Sequence, residues 1–274
     1  MQYPNILSRS PIDNRDWIYE GLVLTIPVSL PKEFDLRTYL GPVRDQGNRG
    51  TCAAFSAACI KEYHEKIDNP DNFSGYMSPD SIYFYRSNKP QEGMYLRDVM
   101  SILSKRGTAR EEFCPYSSVE PRSLSKECVA DASRFVIKGY AQINTVSAAK
   151  QALMTSGPLL FAFPYYENGL AEFWKPKGQL AGGHAVTCVG WNENGFILRN
   201  SWGPKWNGDG HVIFRYEDFG LHWEIWSCVD AETVWEIPKP VPVPPKPTPV
   251  PRPTPRLVPV PRPVPVPRKL VPRR

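Results

Sequence analysis

The chain has 274 residues, 41% hydrophobic and 12% aromatic, which supports a sizeable core and excludes wholesale disorder. Sixteen of its thirty prolines follow Glu236, in a stretch that also holds nine Lys/Arg and no acid. The remaining 24 basic and 28 acidic residues leave residues 1–237 near −4. The sequence pI of about 8.8 therefore describes the tail and gives no reason to expect nucleic acid on the body.

Residues 1–30 read as a short leader. Met1 to Trp17 is polar and broken by Pro4 and Pro11, and the apolar run Gly21 to Leu30 is ten residues long and contains Pro27. Neither a signal peptide nor a membrane span fits, so an intracellular, cytoplasmic protein without a membrane partner is expected. Pro31 to Leu40 looks extended and turns at Gly41-Pro42 into the glycine-spaced loop Gln46-Gly47-Asn48-Arg49-Gly50-Thr51. An amphipathic helix follows from Cys52 to about Ile67, with Phe55, Cys59, Ile60, Tyr63 and Ile67 on its inner face. Ser78-Pro79 starts a second helix as cap and first helical residue. A third runs from about Tyr95 to Lys105, with Leu96, Val99, Met100 and Leu103 inward and Gly107 past its end. Val146 to Thr155 forms another, ending at Gly157.

Short apolar runs then follow: Pro158–Phe163, Ala185–Trp191, Gly195–Arg199 and His211–Tyr216. These are strand signals. A helical first half and a β-rich second half predict an α+β body over 31–237, built as two lobes with a cleft between them. The tail, 238–274, alternates proline with Val, Lys, Arg and Thr and suits only polyproline II. It reads as a stiff spacer, with docking to an aromatic-lined groove or an acidic partner as the functional alternative.

Six cysteines are scattered without CxxC pairs, so no metal site is expected, and a reducing compartment suits them. Cys59 and Cys188 read as core filler. Cys52 differs, because a thiol at a helix N-terminus lies in the positive end of the macrodipole. A nucleophile there needs a base and something to orient the base. His64 is twelve residues along the same helix, roughly 18 Å away, and is excluded. His222 has no distinguishing neighbours, and His211, opening a strand after Gly210, stays open. His184 is the best candidate: it follows Gly182-Gly183 and precedes an apolar strand. A turn at Asn192–Gly195 would return Asn200 to His184, where its amide oxygen can accept one imidazole proton and turn the other nitrogen toward the thiol. Trp202 would shield that bond from water.

Gln-Gly-x-x-Gly-x-Cys-x-Ala-Phe-Ser, then Gly-His-Ala-Val, then Asn-Ser-Trp-Gly-x-x-Trp resembles the papain and cathepsin family over about residues 31–232. The separations of 132 residues from Cys52 to His184 and 148 to Asn200 fit that family. The resemblance implies a papain-like fold and hydrolysis of polypeptide substrates through a thioester, without a cofactor. It makes Cys52 the nucleophile, resting as a thiolate paired with the His184 imidazolium, and Asn200 the orienter. Gln46 becomes an oxyanion donor beside the Cys52 backbone N–H. Gly93, Ala185 and Trp202 fall at substrate-binding positions, and an endopeptidase is favoured because no closely paired histidines suggest an occluding loop.

The departures are specific. Arg49 stands where the family has a disulfide-forming cysteine, and Ala53 replaces a bulky aromatic. Glu92 stands in a Gly-Gly pair, where it can crowd or charge a subsite. Cys114–Cys128 is the one conceivable bridge. The leader is shorter than the family's helical prosegment and either blocks the cleft as an extended strand or exerts no control. The disulfide-poor, short-leader pattern is more like members from bacteria or large DNA viruses, with packaging in a virion if viral. The alternative reading is a catalytically idle papain fold that serves as a binding or structural component tethered by its tail.

Overall fold

The computed structural model describes residues 7–22, 30–71, 73 and 75–231. The proline-rich tail, and with it the docking alternative, lies outside the described residues. In chain order the elements are α1 (Tyr19–Leu22), β1 (Phe34–Asp35), α2 (Cys52–Asp68), α3 (Pro79–Tyr83), α4 (Leu96–Lys105), α5 (Lys126–Ala132), β2 (Ile137–Gln142), α6 (Val146–Ser156), β3 (Leu159–Tyr166), β4 (Leu180–Trp191), β5 (Gly195–Arg199), β6 (His211–Arg215) and β7 (Glu224–Asp230). The expected order of helices first and antiparallel strands second holds, with α1, α5, β2 and β7 added. Among the described residues no helix is long and apolar enough to cross a membrane.

The cap chemistry places the helix ends. Ser78 accepts the Ser81 N–H at the start of α3, and Ser125 and Thr145 do the same for α5 and α6. Gly107, at φ +73°, ends α4; a Cβ there would lie 2.0 Å from the Ala132 carbonyl oxygen. Pro31–Leu40 is only partly extended: β1 is two residues long, and a 3₁₀ turn follows at Arg37–Tyr39.

The sheet runs β2-β7-β3-β4-β5-β6, every pairing antiparallel, with β1 added along β4. The helix α2 packs through the middle of the molecule. Alanines 53, 54, 57 and 58 let neighbours close on it from several sides, and it is buried almost all round as far as Glu65. Depth along its axis, not face, decides burial. Ile67, expected inward, lies in the last turn and is 43% exposed. One apolar cluster joins α2 to α3 and α4 through Ile60, Met100, Leu103 and Phe135. A second fills the β half with Phe161, Phe163, Trp174, Trp191 and Phe214. All six cysteines are buried free thiols. Cys59 and Cys188 are core residues as expected, while Cys114 and Cys128 share a small cluster without a bond.

The described leader residues cross both halves. The Leu7 N–H donates to the Gly183 carbonyl at 3.1 Å. The Ser10 N–H donates to Glu224 Oε1, and Asp16 pairs with Arg97. Ile18 bridges to Gln142. Tyr19 is buried in the β-half cluster, and Glu20 accepts the Asn144 N–H and the Thr145 hydroxyl at the start of α6.

Candidate active site

The loop before α2 is pinned across to the β half. The Gln46 N–H donates to the Ser201 carbonyl at 2.8 Å, and the Gly203 N–H donates to Arg44 O at 3.0 Å. Thr187 Oγ1 donates to Ser56 O and ties β4 to the first turns of α2. These contacts bring the sequence-distant candidates together. Cys52 opens α2, and the backbone N–H of Ala185, the residue after His184, points at its sulfur.

His184 lies on β4, paired in register with Phe163. The β4–β5 hairpin turns at Asn192–Gly195, where Asn192 Oδ1 accepts the N–H groups of Asn194 and Gly195. That turn returns Asn200 to His184, and His184 Nε2 lies 2.8 Å from Asn200 Oδ1. The asparagine oxygen accepts the Ser201 N–H as well, at 2.7 Å. An amide oxygen can only accept, so His184 Nε2 carries the proton and Nδ1 is left as the basic nitrogen. Nδ1 is buried and has no hydrogen-bond partner among the described residues. Trp202 stacks on the imidazole at 4.4 Å between centroids, and Phe173 meets it edge-on at 5.1 Å. Trp206 abuts Trp202.

Gln46 is held at both ends of its amide. Its Oε1 accepts the Ser201 hydroxyl at 2.6 Å, and its Nε2 donates to the Arg49 carbonyl at 2.9 Å. One Nε2 hydrogen remains for another acceptor. Gly93, at φ +80°, gives its N–H to the Tyr83 hydroxyl. The other histidines are elsewhere. His64 faces Ser156 O, His211 faces Asp209, and His222 packs on Phe219. Ser201 was missed from the sequence; its position after Asn200 in the Asn-Ser-Trp motif was the available signal.

In this closed arrangement burial opposes the resting ion pair expected for Cys52 and His184. Burial pushes the Cys52 thiol up to about 11, against the opposing pull of the Ala185, Ala53 and Cys52 amides. A two-unit rise from 9.0 corresponds to roughly 3 kcal/mol, which exceeds the ~0.3–1 kcal/mol usual for a helix end. Burial also holds His184 down to about 4, despite its bond to Asn200. Both shifts favour the neutral forms while the site is covered. Leu7, 2% exposed, belongs to the apolar cluster that contains Cys52, Ala162 and Ala185. A Cβ on Gly183 would strike the Leu7 carbonyl oxygen at 2.5 Å and the Trp223 ring at 2.2 Å. The glycine lets the leader lie against the strand that carries His184.

Similarity to known proteins agrees with this geometry. The family described as "Papain family cysteine protease" matches residues 30–224. Cathepsin B-like CP2 of Giardia intestinalis is 32% identical over 207 residues, covering 66% of this chain and 68% of its own. Cathepsin B-like CP3 of the same organism is 31% identical over 220 residues, covering 71% and 73%. The crystal structure of xylellain, a cysteine protease from Xylella fastidiosa, superposes with a TM-score of 0.68 at 24% identity, over 84% of this chain and 97% of its own, and so shares the fold. With the family matched across most of its length, the chain belongs to the papain family of cysteine proteases and is a cysteine peptidase, a hydrolase of polypeptides.

Proposed function

We propose that the chain is an endopeptidase in which Cys52 is the nucleophile, His184 the proton carrier, Asn200 its orienter and Gln46 an oxyanion donor. The observation that carries this reading is the His184 Nε2–Asn200 Oδ1 bond at 2.8 Å, which leaves Nδ1 basic on the residue beside the Ala185 N–H at the Cys52 sulfur. When substrate replaces the leader, the Cys52 proton passes to His184 Nδ1 and the thiolate attacks the peptide carbonyl. The oxyanion takes the Cys52 N–H and the spare Nε2 hydrogen of Gln46. His184 then returns its proton to the departing amine, leaving a thioester. Water, deprotonated by His184, attacks the thioester and releases the acid and the free thiol. With Trp202 and Phe173 against the imidazole, water is kept from the His184–Asn200 bond.

The test is covalent. A peptidyl epoxide should label Cys52 and no other cysteine under reducing conditions, and should fail on Cys52→Ala. If the wild type and the uncovered Leu7→Ala variant both stay unlabelled and inactive, the chain is an idle fold that keeps a catalytic geometry for binding.

The leader controls access in this reading. Shortening Leu7 to alanine removes about 1.5–3 kcal/mol of burial. It should raise kcat/KM on a small peptide roughly 10- to 100-fold. Unchanged turnover would show that Leu7 does not compete with substrate. The pH dependence follows from proton count. The raised Cys52 pKa favours the covered state at low pH and is lost as pH rises. The depressed His184 pKa favours it at high pH and is lost as pH falls. Uncovering moves one proton between them and takes none from solvent, so the two effects cancel through neutrality. Alkylation of Cys52 by iodoacetamide should therefore stay flat between about pH 5 and 8. A tenfold climb per unit would mark a lone buried thiol without an imidazole partner.

A further inference from the structure

We propose that Glu92 makes this peptidase select a basic side chain in the residue that carries the scissile carbonyl. The inference rests on the catalytic roles proposed above. The leaving nitrogen must receive its proton from His184 and so lies on the His184–Trp202 side. The acyl half of the substrate then extends the other way, over the Gly50–Thr51 backbone that leads into Cys52. The Glu92–Gly93 segment packs directly on Gly50 and so borders that path on one side. A Cβ on Gly50 would meet the Gly93 nitrogen at 2.9 Å, Glu92 Cβ at 3.1 Å and Glu92 Oε2 at 3.2 Å. Only a glycine fits, and the carboxylate edges the track within two residues of the nucleophile.

The geometry makes this charge available. Glu92 Oε2 accepts the Gly50 N–H at 3.2 Å, which holds the carboxylate beside the loop that leads into Cys52, and the side chain is exposed. The three cations nearest in sequence are engaged elsewhere, Arg86 and Lys89 with Glu120 and Arg97 with Asp16. Glu92 forms no ion pair with a described residue, so its negative charge meets whatever side chain the substrate presents. A guanidinium or ammonium gains a charged hydrogen bond there, a neutral side chain does not, and an acidic one is repelled.

The experiment uses the full chain and fluorogenic peptides that differ only in the residue before the scissile bond: Arg, Gln or Glu. The wild type should prefer Arg over Gln about tenfold in kcat/KM, the scale of a hydrogen bond to a charged group. Glu92→Gln keeps an acceptor for the Gly50 N–H but loses the charge, and should bring the ratio to about one. Glu92→Lys should turn the preference toward Glu. A ratio in Glu92→Gln within twofold of wild type, with both enzymes active, overturns the proposal and leaves Glu92 as a prop for the Gly50 loop. Absence of turnover on all three peptides, with Cys52 unlabelled by the epoxide in both the wild type and Leu7→Ala, overturns the peptidase roles themselves and this inference with them.

Discussion

Replacing His184 by alanine should lower kcat roughly 10⁴- to 10⁶-fold while leaving KM within a few-fold, because nucleophile and base act as one unit. The imidazole is the proton acceptor that lets a thiol raised to about 11 become a thiolate, and it is the proton donor that lets the amine depart. Neither task has a second candidate nearby, since His64, His211 and His222 are engaged elsewhere. Asn200→Ala tests the other half of the arrangement. It removes the acceptor at 2.8 Å but leaves Trp202 stacked on the ring, so the imidazole is loosened, not lost. A misplacement of that kind costs about 10²-fold. The iodoacetamide profile separates the two variants. His184→Ala should show a steep rise toward high pH, while Asn200→Ala should stay nearly flat at a lower rate. Equal losses in both variants, or a flat profile without His184, would remove the histidine from its assigned role.

The parts of this site that were legible in the sequence are those set by local chemistry. A glycine-spaced loop running into an alanine-rich helix locates Cys52, and the Asn192–Gly195 turn returns Asn200 to His184 by hairpin geometry alone. The cap at Ser78 was readable for the same reason, being a short-range bond to the backbone N–H three residues on. What was not legible depends on distant partners. Strand β2 (Ile-Lys-Gly-Tyr-Ala-Gln) carries a glycine and alternates poorly, and it is a strand because β7 offers it a ladder. Strand β7 is hidden in an aromatic stretch whose Trp226 is buried in the apolar cluster shared with α2 and α4. Leu7 is one apolar residue in a polar leader, and nothing in its neighbours foretells that Gly183 will accept its N–H. The burial that opposes the resting ion pair was hidden for the same reason. The helix end is a local feature, whereas the burial that outweighs it comes from segments at both ends of the body.

Arg49→Ala should destabilise the fold by about 3–5 kcal/mol, lowering the melting temperature by roughly 6–20 °C, because it strands a buried carboxylate. Arg49 Nη1 donates to Asp80 Oδ1 at 2.6 Å and to the Ser117 carbonyl at 2.7 Å, and Asp80 is 1% exposed. The guanidinium lies between the Tyr83 and Tyr116 rings at 5.3 and 5.0 Å. This cation therefore joins the nucleophile loop to α3 and to the 116–117 segment, at the position where the family places a cysteine for a disulfide. Arg49→Lys should recover little, since a compact ammonium cannot reach both acceptors while stacked between two rings. Arg49→Met combined with Asp80→Leu should recover most of the loss, because it removes both charges together. The three melting curves thus distinguish a charge left unpaired from packing lost. The same variants should slow catalysis as well, since Gln46 Nε2 hangs on the Arg49 carbonyl and moves with the loop. Reductant should shift none of these curves, because all six cysteines are free thiols. A melting temperature for Arg49→Ala within 2 °C of wild type would mean that the loop is held by its bonds to Ser201 and Arg44's partner Gly203, and that the ion pair does not do the work of the missing bridge.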